Sequence, residues 1–184
     1  MSRILRFRVR LLTLLPALIP AAWATSVPRL TLEQLTAASE SVVSGRITQT
    51  WAAWDSEHKF IWTHYRLSVS ETAKGPQTPS IEFAEPGGAL PDAVQTIAGT
   101  VPYANGERVV VFLSRMPNGY LRTTGWAQGK YTEDESGRIH AYGASGAEFI
   151  EAGKGQAGTS LRSLEGIDFS GLKRLIAAHQ GGAR

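Results

Sequence analysis

Residues 41–51 read SVVSGRITQTW and residues 59–72 read KFIWTHYRLSVSET. Both stretches alternate with a period of two, the signature of a β-strand rather than of a helix. In the first, Val43, Gly45, Ile47 and Gln49 share one face, with Val42, Ser44, Arg46 and Thr48 on the other. A glycine in mid-strand, Gly45, predicts a bulge or a sharp bend, which a sheet needs if it is to curl toward closure. In the second, Ile61, Tyr65, Leu67 and Val69 share a parity against Phe60, Trp62, His64 and Arg66. Trp51 to Glu57 is expected as turn or loop between the two strands, and Lys74-Gly75-Pro76 ends the second.

Working outward, Ser80–Ala84 (SIEFA) reads as a short strand closed by Pro86-Gly87-Gly88. Ala89 to Gly106 is irregular, holds Pro91 and Pro102, and is long enough to carry function. Glu107–Leu113 (ERVVVFL) is apolar on both parities, so it is expected to be the most buried strand. Asn118-Gly119 signals a hairpin into Tyr120–Thr124. Gln128–Thr132 and Arg138–Tyr142 follow as strands around the turn Glu133-Asp134-Glu135-Ser136-Gly137. Upstream, Leu30–Ser39 is a short amphipathic helix: Thr31 caps it, Gln34 completes a capping box, and Leu32, Leu35 and Ala38 line one face. Downstream, Glu151–Ser160 is linker-like, and a last helix starts from Asp168 or Ser170, lines one face with Leu172, Leu175 and Ile176, and stops at Gly181. A helix, six to eight short strands and a helix make a mainly β fold, expected as a small closed or partly closed barrel. Strand and helix do not alternate, which argues against a doubly wound sheet.

The order of these pieces resembles a group of exported bacterial domains. The matching residues are Val42-Val43-Ser44-Gly45, Leu67 to Gly75, and Gly106 to Leu113. More loosely, residues 31–133 resemble the netrin-like modules related to tissue inhibitors of metalloproteinases. That resemblance implies an oligonucleotide/oligosaccharide-binding-type (OB-like) β-barrel. It does not bring the inhibitory chemistry. Those inhibitors chelate the catalytic zinc of their targets through an N-terminal cysteine, and this chain of 184 residues has no cysteine at all.

The N-terminus reads as an export signal. Arg3, Arg6, Arg8 and Arg10 precede the apolar run LLTLLPALIPAA and the small-x-small triplet Ala22-Trp23-Ala24, so cleavage after Ala24 would leave Thr25 first. The run is too short, and too interrupted by Pro16 and Pro20, for a spanning helix. The expected division is residues 1–24 signal peptide, 25–150 β-barrel domain, 151–160 linker and 161–184 helical tail, with a periplasmic or secreted location. The whole chain carries a net charge of +3, but residues 25–184 hold 15 basic against 16 acidic groups, a net of −1. Nucleic-acid binding, which needs a cationic face on the folded part, is not expected.

No catalytic constellation stands out. Ser145 lacks a nucleophile-elbow setting, and Ser170 to Lys173 matches S-x-x-K without its partner motifs. His58 and His64 lie too far apart along a strand to share a metal, and no metal or cofactor is expected. Glu82 with Glu85 and the Glu133–Glu135 turn offer carboxylates, the latter read as a solvated hairpin tip. Trp126, Gln128, Gly129 and Lys130 form a polar-aromatic run assigned to the fold. The feature that points to binding is aromatic: Trp51, Trp54, Phe60 and Trp62, continued by His64 and Arg66, as an outward stripe on the first hairpin. It serves a surface, or it is a second core under one of the two helices. Two functions fit. One is a non-catalytic module gripping another envelope or secreted protein, such as a peptidase, through this stripe and the 89–106 loop. The alternative is an envelope hydrolase or carbohydrate-active protein using barrel carboxylates.

Overall fold

The computed structural model describes residues 26–143, 148–150 and 158–181. The expected signal peptide at 1–24 and most of the expected linker, 151–157, lie outside the described residues. In chain order the elements are β1 (Ser26–Pro28), α1 (Leu32–Ala38), β2 (Ser41–Trp54), β3 (Ile61–Lys74), β4 (Ser80–Pro86), β5 (Gly88–Ala89), β6 (Val94–Gln95), β7 (Arg108–Arg115), β8 (Leu121–Thr123), β9 (Lys130–Glu133), β10 (Ile139–Ala141), β11 (Glu148–Ile150) and α2 (Phe169–Gly181). The fold is mainly β: an antiparallel sheet in the order β10-β9-β7-β2-β3-β4, with β8 also on β7, flanked by two short helices. β1 and β11 form a separate parallel pair, and β5 and β6 a small hairpin of their own.

The helix start is as expected. Gln34 N–H donates to the Thr31 hydroxyl at 3.3 Å, and Thr31 N–H to the Gln34 side chain at 3.0 Å. Leu32 and Leu35 are buried, but Ala38 is exposed and Thr36 takes the third buried place. At the far end Asp168 caps α2, accepting Gly171 N–H at 2.7 Å.

Two layers explain why β7 is apolar on both parities. Val109, Val111 and Leu113 face a core that also holds Val43, Ile47, Tyr65, Leu67 and Phe83. Val110 and Phe112 face the other way, under Leu32, Leu35, Leu164, Leu172 and Ile176. Both helices therefore bury their leucines over β7 and the start of β2. Gly45 sits at a register shift between β2 and β3, and a Cβ there would lie 2.1 Å from the Ser68 carbonyl oxygen. Backbone approach this close admits only glycine.

Three segments depart from expectation in ways that bear on the site. β2 continues to Trp54, pairing Trp51–Trp54 with Ile61–His64, so the turn is confined to residues 55–60. The turn closes on Asp55, whose carboxylate accepts Lys59 N–H at 2.8 Å while its carbonyl accepts His58 N–H at 3.0 Å. The strand expected from Gln128 begins only at Lys130, because Trp126–Gly129 winds as a single 3₁₀ turn that follows the left-handed Gly125 and starts with Trp126 itself at positive φ. The irregular 89–106 segment carries the β5–β6 hairpin, then plugs the core with Val101 and Tyr103.

Among the described residues no ladder joins β4 to β8, so the sheet is not closed by backbone pairing. The seam is bridged by a side chain. Glu85, fully buried on β4, accepts Thr123 N–H at 2.9 Å and Arg122 Nε at 3.1 Å, both on β8.

Candidate functional site

β2 and β3 set the stripe by their register. Gln49, Trp51 and Ala53 pair with Arg66, His64 and Trp62, and so share the outer face. Trp54 pairs with Ile61 and belongs to the opposite face, stacking instead on His58 with ring centres 6.1 Å apart. Phe60 lies in the turn and is 49% exposed. The six sequence-marked residues thus separate into an outer cluster (Trp51, Trp62, His64, Arg66) and a tip (Trp54, Phe60).

The outer cluster is packed, but by neither helix. Trp51 and His64 stack at 5.2 Å with planes 10° apart. Tyr120, at the β7–β8 turn, meets both His64 and Trp62 edge-on at 5.2 Å. Arg66 lies over Trp51 at 5.5 Å, donates to Gln49, and is 3.4 Å from Glu82. Burial pushes the His64 imidazole below its ordinary pKa, against the pull of Glu82 at 3.7 Å. His64, Glu82, Arg115 and Tyr120 border a hollow of about 290 Å³ between β4 and the β7–β8 turn. Arg115 itself is clamped by both oxygens of Glu40. The Trp62 indole N–H is buried without an acceptor among the described residues.

The tip is more open. Ile61 N–H donates to the Gln95 side chain at 2.9 Å, Gly87 N–H to the Ile61 carbonyl at 2.8 Å, and the Thr63 hydroxyl to the Gly87 carbonyl at 2.7 Å. These bonds lace the β5–β6 hairpin to the β2–β3 hairpin. Val94, on β6, is 76% exposed. It and Phe60 are the large hydrophobic residues that the described surface leaves open, and the two sit on hairpins bonded to each other.

The sequence-marked carboxylates do not form an acid–base pair. Glu82 lies opposite Arg66 and Glu85 opposite Thr63, hence on opposite faces of β4. Glu133 is taken by Arg108 and Ser44, and Asp134 by His140 and the turn backbone. The Glu133–Glu135 turn is thus tied in rather than freely solvated at its first two residues. Among the described residues no cluster of three His, Asp or Glu side chains could hold a metal, and no helix is long and apolar enough to cross a membrane. Ser170 is exposed and Lys173 pairs with Glu71, so the S-x-x-K match assembles nothing.

Sequence reasoning missed Tyr120, Val94 and the buried charges. Lys130, assigned to the fold, is 1% exposed: its ammonium donates to the Pro102 carbonyl at 2.6 Å, pairs with Glu107 at 2.7 Å, and lies 4.2 and 4.4 Å from the Tyr103 and Tyr142 rings. Burial lowers its pKa while Glu107 pulls it back up. The sequence carries no signal for this burial: Gln128, Lys130 and Thr132 share a polar parity, which alone would send the lysine outward. Trp126 likewise serves the fold, as a platform 3.7 Å beneath the Arg122 guanidinium. No protein-family model matches this chain, and no curated protein or solved structure is similar to it.

Proposed function

We propose that the chain is an exported, non-catalytic binding module that engages another envelope or secreted protein through the end where its two hairpins are laced together. One observation carries this: Phe60, half-exposed, and Val94, three-quarters exposed, sit on two hairpins that are hydrogen-bonded to each other. Exposed apolar anchors on rigid supports are what a protein interface uses. The fold reading that accompanies it is an OB-like, netrin-like barrel whose last seam is bridged by Glu85 instead of a ladder. Export rests on the signal-like residues 1–24 and the near-neutral remainder.

The test is recovery of partners from envelope and secreted fractions with the tagged chain, beside a Phe60→Ser, Val94→Ser double variant. Both side chains project into solvent, so the variant should unfold within about 0.5 kcal/mol of the parent. Loss of a specific protein from an otherwise folded variant supports the module. Equal recovery by both forms refutes this face.

A second reading has its own observation. Trp51, His64, Tyr120 and Trp62 form a run of aromatic contacts, and its two middle members, His64 and Tyr120, line the hollow that Glu82 and Arg115 border, which suits a sugar ring. Tryptophan fluorescence that responds to envelope polysaccharide, and is insensitive to Phe60→Ser, would favour it.

A further inference from the structure

An unpaired strand edge is a template for another strand, and folded proteins cover or guard such edges. This molecule covers two of them. Beyond β10, Ile139 N–H donates to the Ile167 carbonyl and Gly166 N–H to the Ile139 carbonyl, both at 2.8 Å, and the Glu165 carboxylate accepts Ala141 N–H at 3.0 Å. Along β4, Glu85 takes the Thr123 N–H across the seam.

β2 is treated differently. Its ladder with β7 ends at the Arg46–Arg108 pair, and the bonds Ile47 N–H to Glu107 and Gly106 N–H to Ile47 finish it. From there β2 runs on to Trp54 paired with β3 alone. Among the described residues, the backbone of 48–54 makes no hydrogen bond outside that hairpin, and its side-chain tie to the neighbouring segment is the Thr50 hydroxyl donating to the Asn105 side chain at 3.0 Å. Seven residues at roughly 3.3 Å each give about 23 Å of edge without a backbone ladder.

The usual guards are missing from it. Thr48-Gln49-Thr50-Trp51-Ala52-Ala53-Trp54 has no charged residue and no proline, and the last register shift in the hairpin ends at Gln49. An edge without charge can meet its own copy with no like charges opposed. We propose that the 48–54 edge of β2 is a self-association surface, pairing antiparallel with the same edge of a second copy across a two-fold axis near Trp51. Such an interface is isologous. It sets Gln49 opposite Ala53 and Thr50 opposite Ala52, small enough for close approach, and brings the two outer-face Trp51 side chains together as a cross-strand aromatic pair. It uses the strand edge and not the Phe60–Val94 tip, so it stands independently of the partner-binding proposal.

The test combines sedimentation equilibrium of the purified chain over a dilution series with hydrogen exchange at residues 48–54, on the parent, on Ala53→Lys and on the neutral control Ala53→Ser. The expected result is a monomer–dimer equilibrium in which these amides exchange more slowly as concentration rises. Ala53→Lys should raise Kd about tenfold, because each charge enters the interface twice. Ala53→Ser should dimerise like the parent, and thermal unfolding should show both variants folded. A chain that stays monomeric throughout overturns the proposal. So does a dimer whose edge amides exchange freely or that ignores Ala53→Lys, and so does protection that arises only when a foreign protein is added. The Phe60→Ser, Val94→Ser variant should still dimerise, which separates failure here from failure of the partner-binding face.

Discussion

Replacing Glu85 by alanine removes the bridge across the β4–β8 seam, and the cost can be built from its contacts. The carboxylate is fully buried and holds two groups, Thr123 N–H at 2.9 Å and Arg122 Nε at 3.1 Å. Alanine leaves the buried Thr123 N–H without an acceptor, which costs about 1–3 kcal/mol. It also strands a guanidinium that is 13% exposed and whose Nη2 already has no acceptor among the described residues. Breaking a buried pair from one side costs about 3–5 kcal/mol, and the two penalties overlap because one carboxylate serves both groups. The expected loss is about 4 kcal/mol, a large share of the roughly 5–15 kcal/mol that holds a domain folded. In urea, with a slope of about 2 kcal/mol/M, the midpoint should fall by about 2 M. Glu85→Gln keeps an acceptor for Thr123 and should lose about half as much. Replacing the pair together, Glu85→Leu with Arg122→Met, should recover much of the charge penalty but not the Thr123 bond. An alanine variant within about 1 kcal/mol of the parent would mean that the seam does not depend on this carboxylate.

Two further outcomes follow from close contacts elsewhere. Gly45→Ala places a methyl 2.1 Å from the Ser68 carbonyl oxygen, backbone that cannot swing aside; a loss of about 3 kcal/mol or more is expected in urea unfolding, and a loss under 1 kcal/mol would show that β2 and β3 slide freely at the bulge. His140 lies between Asp134 at 3.0 Å and Glu165 at 2.7 Å, whose hydrogen bonds raise its pKa. In return, Asp134 is held low chiefly by His140, and Glu165 chiefly by Ala141 N–H. A raised histidine contributes stability in full below about 6.5, lost as pH rises through its folded value. The lowered carboxylates contribute above roughly 4.5, lost as pH falls. The clamp therefore peaks between these limits, and His140→Gln should flatten the alkaline side of a Tm-against-pH curve; a His140 that titrates at or below 6.5 by NMR would contradict it.

How much of this could be read in advance depends on the kind of interaction. Period and capping are local, so the two long strands, the Thr31 capping box and the Asn118-Gly119 hairpin are legible in the residues themselves, whereas the last helix offered Asp168 and Ser170 as caps and the structure selects Asp168. So is the doubly apolar β7, although only the structure shows that its two faces serve different layers. The register of β2 against β3 was not legible. Alternation placed Phe60, Trp62, His64 and Arg66 on one face, but which side Trp54 joined depends on how far the hairpin pairs before it turns. Tyr120 could not be assigned to the stripe, because it reaches His64 from a turn more than fifty residues away in the chain. Whether a helix covered the stripe was equally open. The leucines of α1 and α2 say that they must dock on something, and the choice of Val42 and Phe112 over Trp62 is a matter of topology.

The buried charges share a location that explains why an apolar core would not replace them. Glu85 and Lys130 both stand where the ladder gives out and backbone groups would otherwise be stranded. Glu85 serves the Thr123 N–H across an unpaired seam, and Lys130 serves the Pro102 carbonyl in the irregular segment, while Glu107 takes Ala104 N–H beside it at 2.9 Å. A leucine in either place would fill volume and leave these polar groups unmade, which folded chains avoid. Tyr103, bonded to the Thr123 hydroxyl at 2.6 Å and lying against the Lys130 ammonium, ties the two stations together through the core. The second half of the 89–106 segment is thereby anchored at Val101, Pro102 and Tyr103, and the β5–β6 hairpin is fixed at its other end by Gln95 and Gly87. A surface loop held at both ends loses less conformational freedom on association. The charges inside the sheet are then part of what holds the segment that carries Val94, so the polar core and the exposed hairpin are linked through residues 89–106.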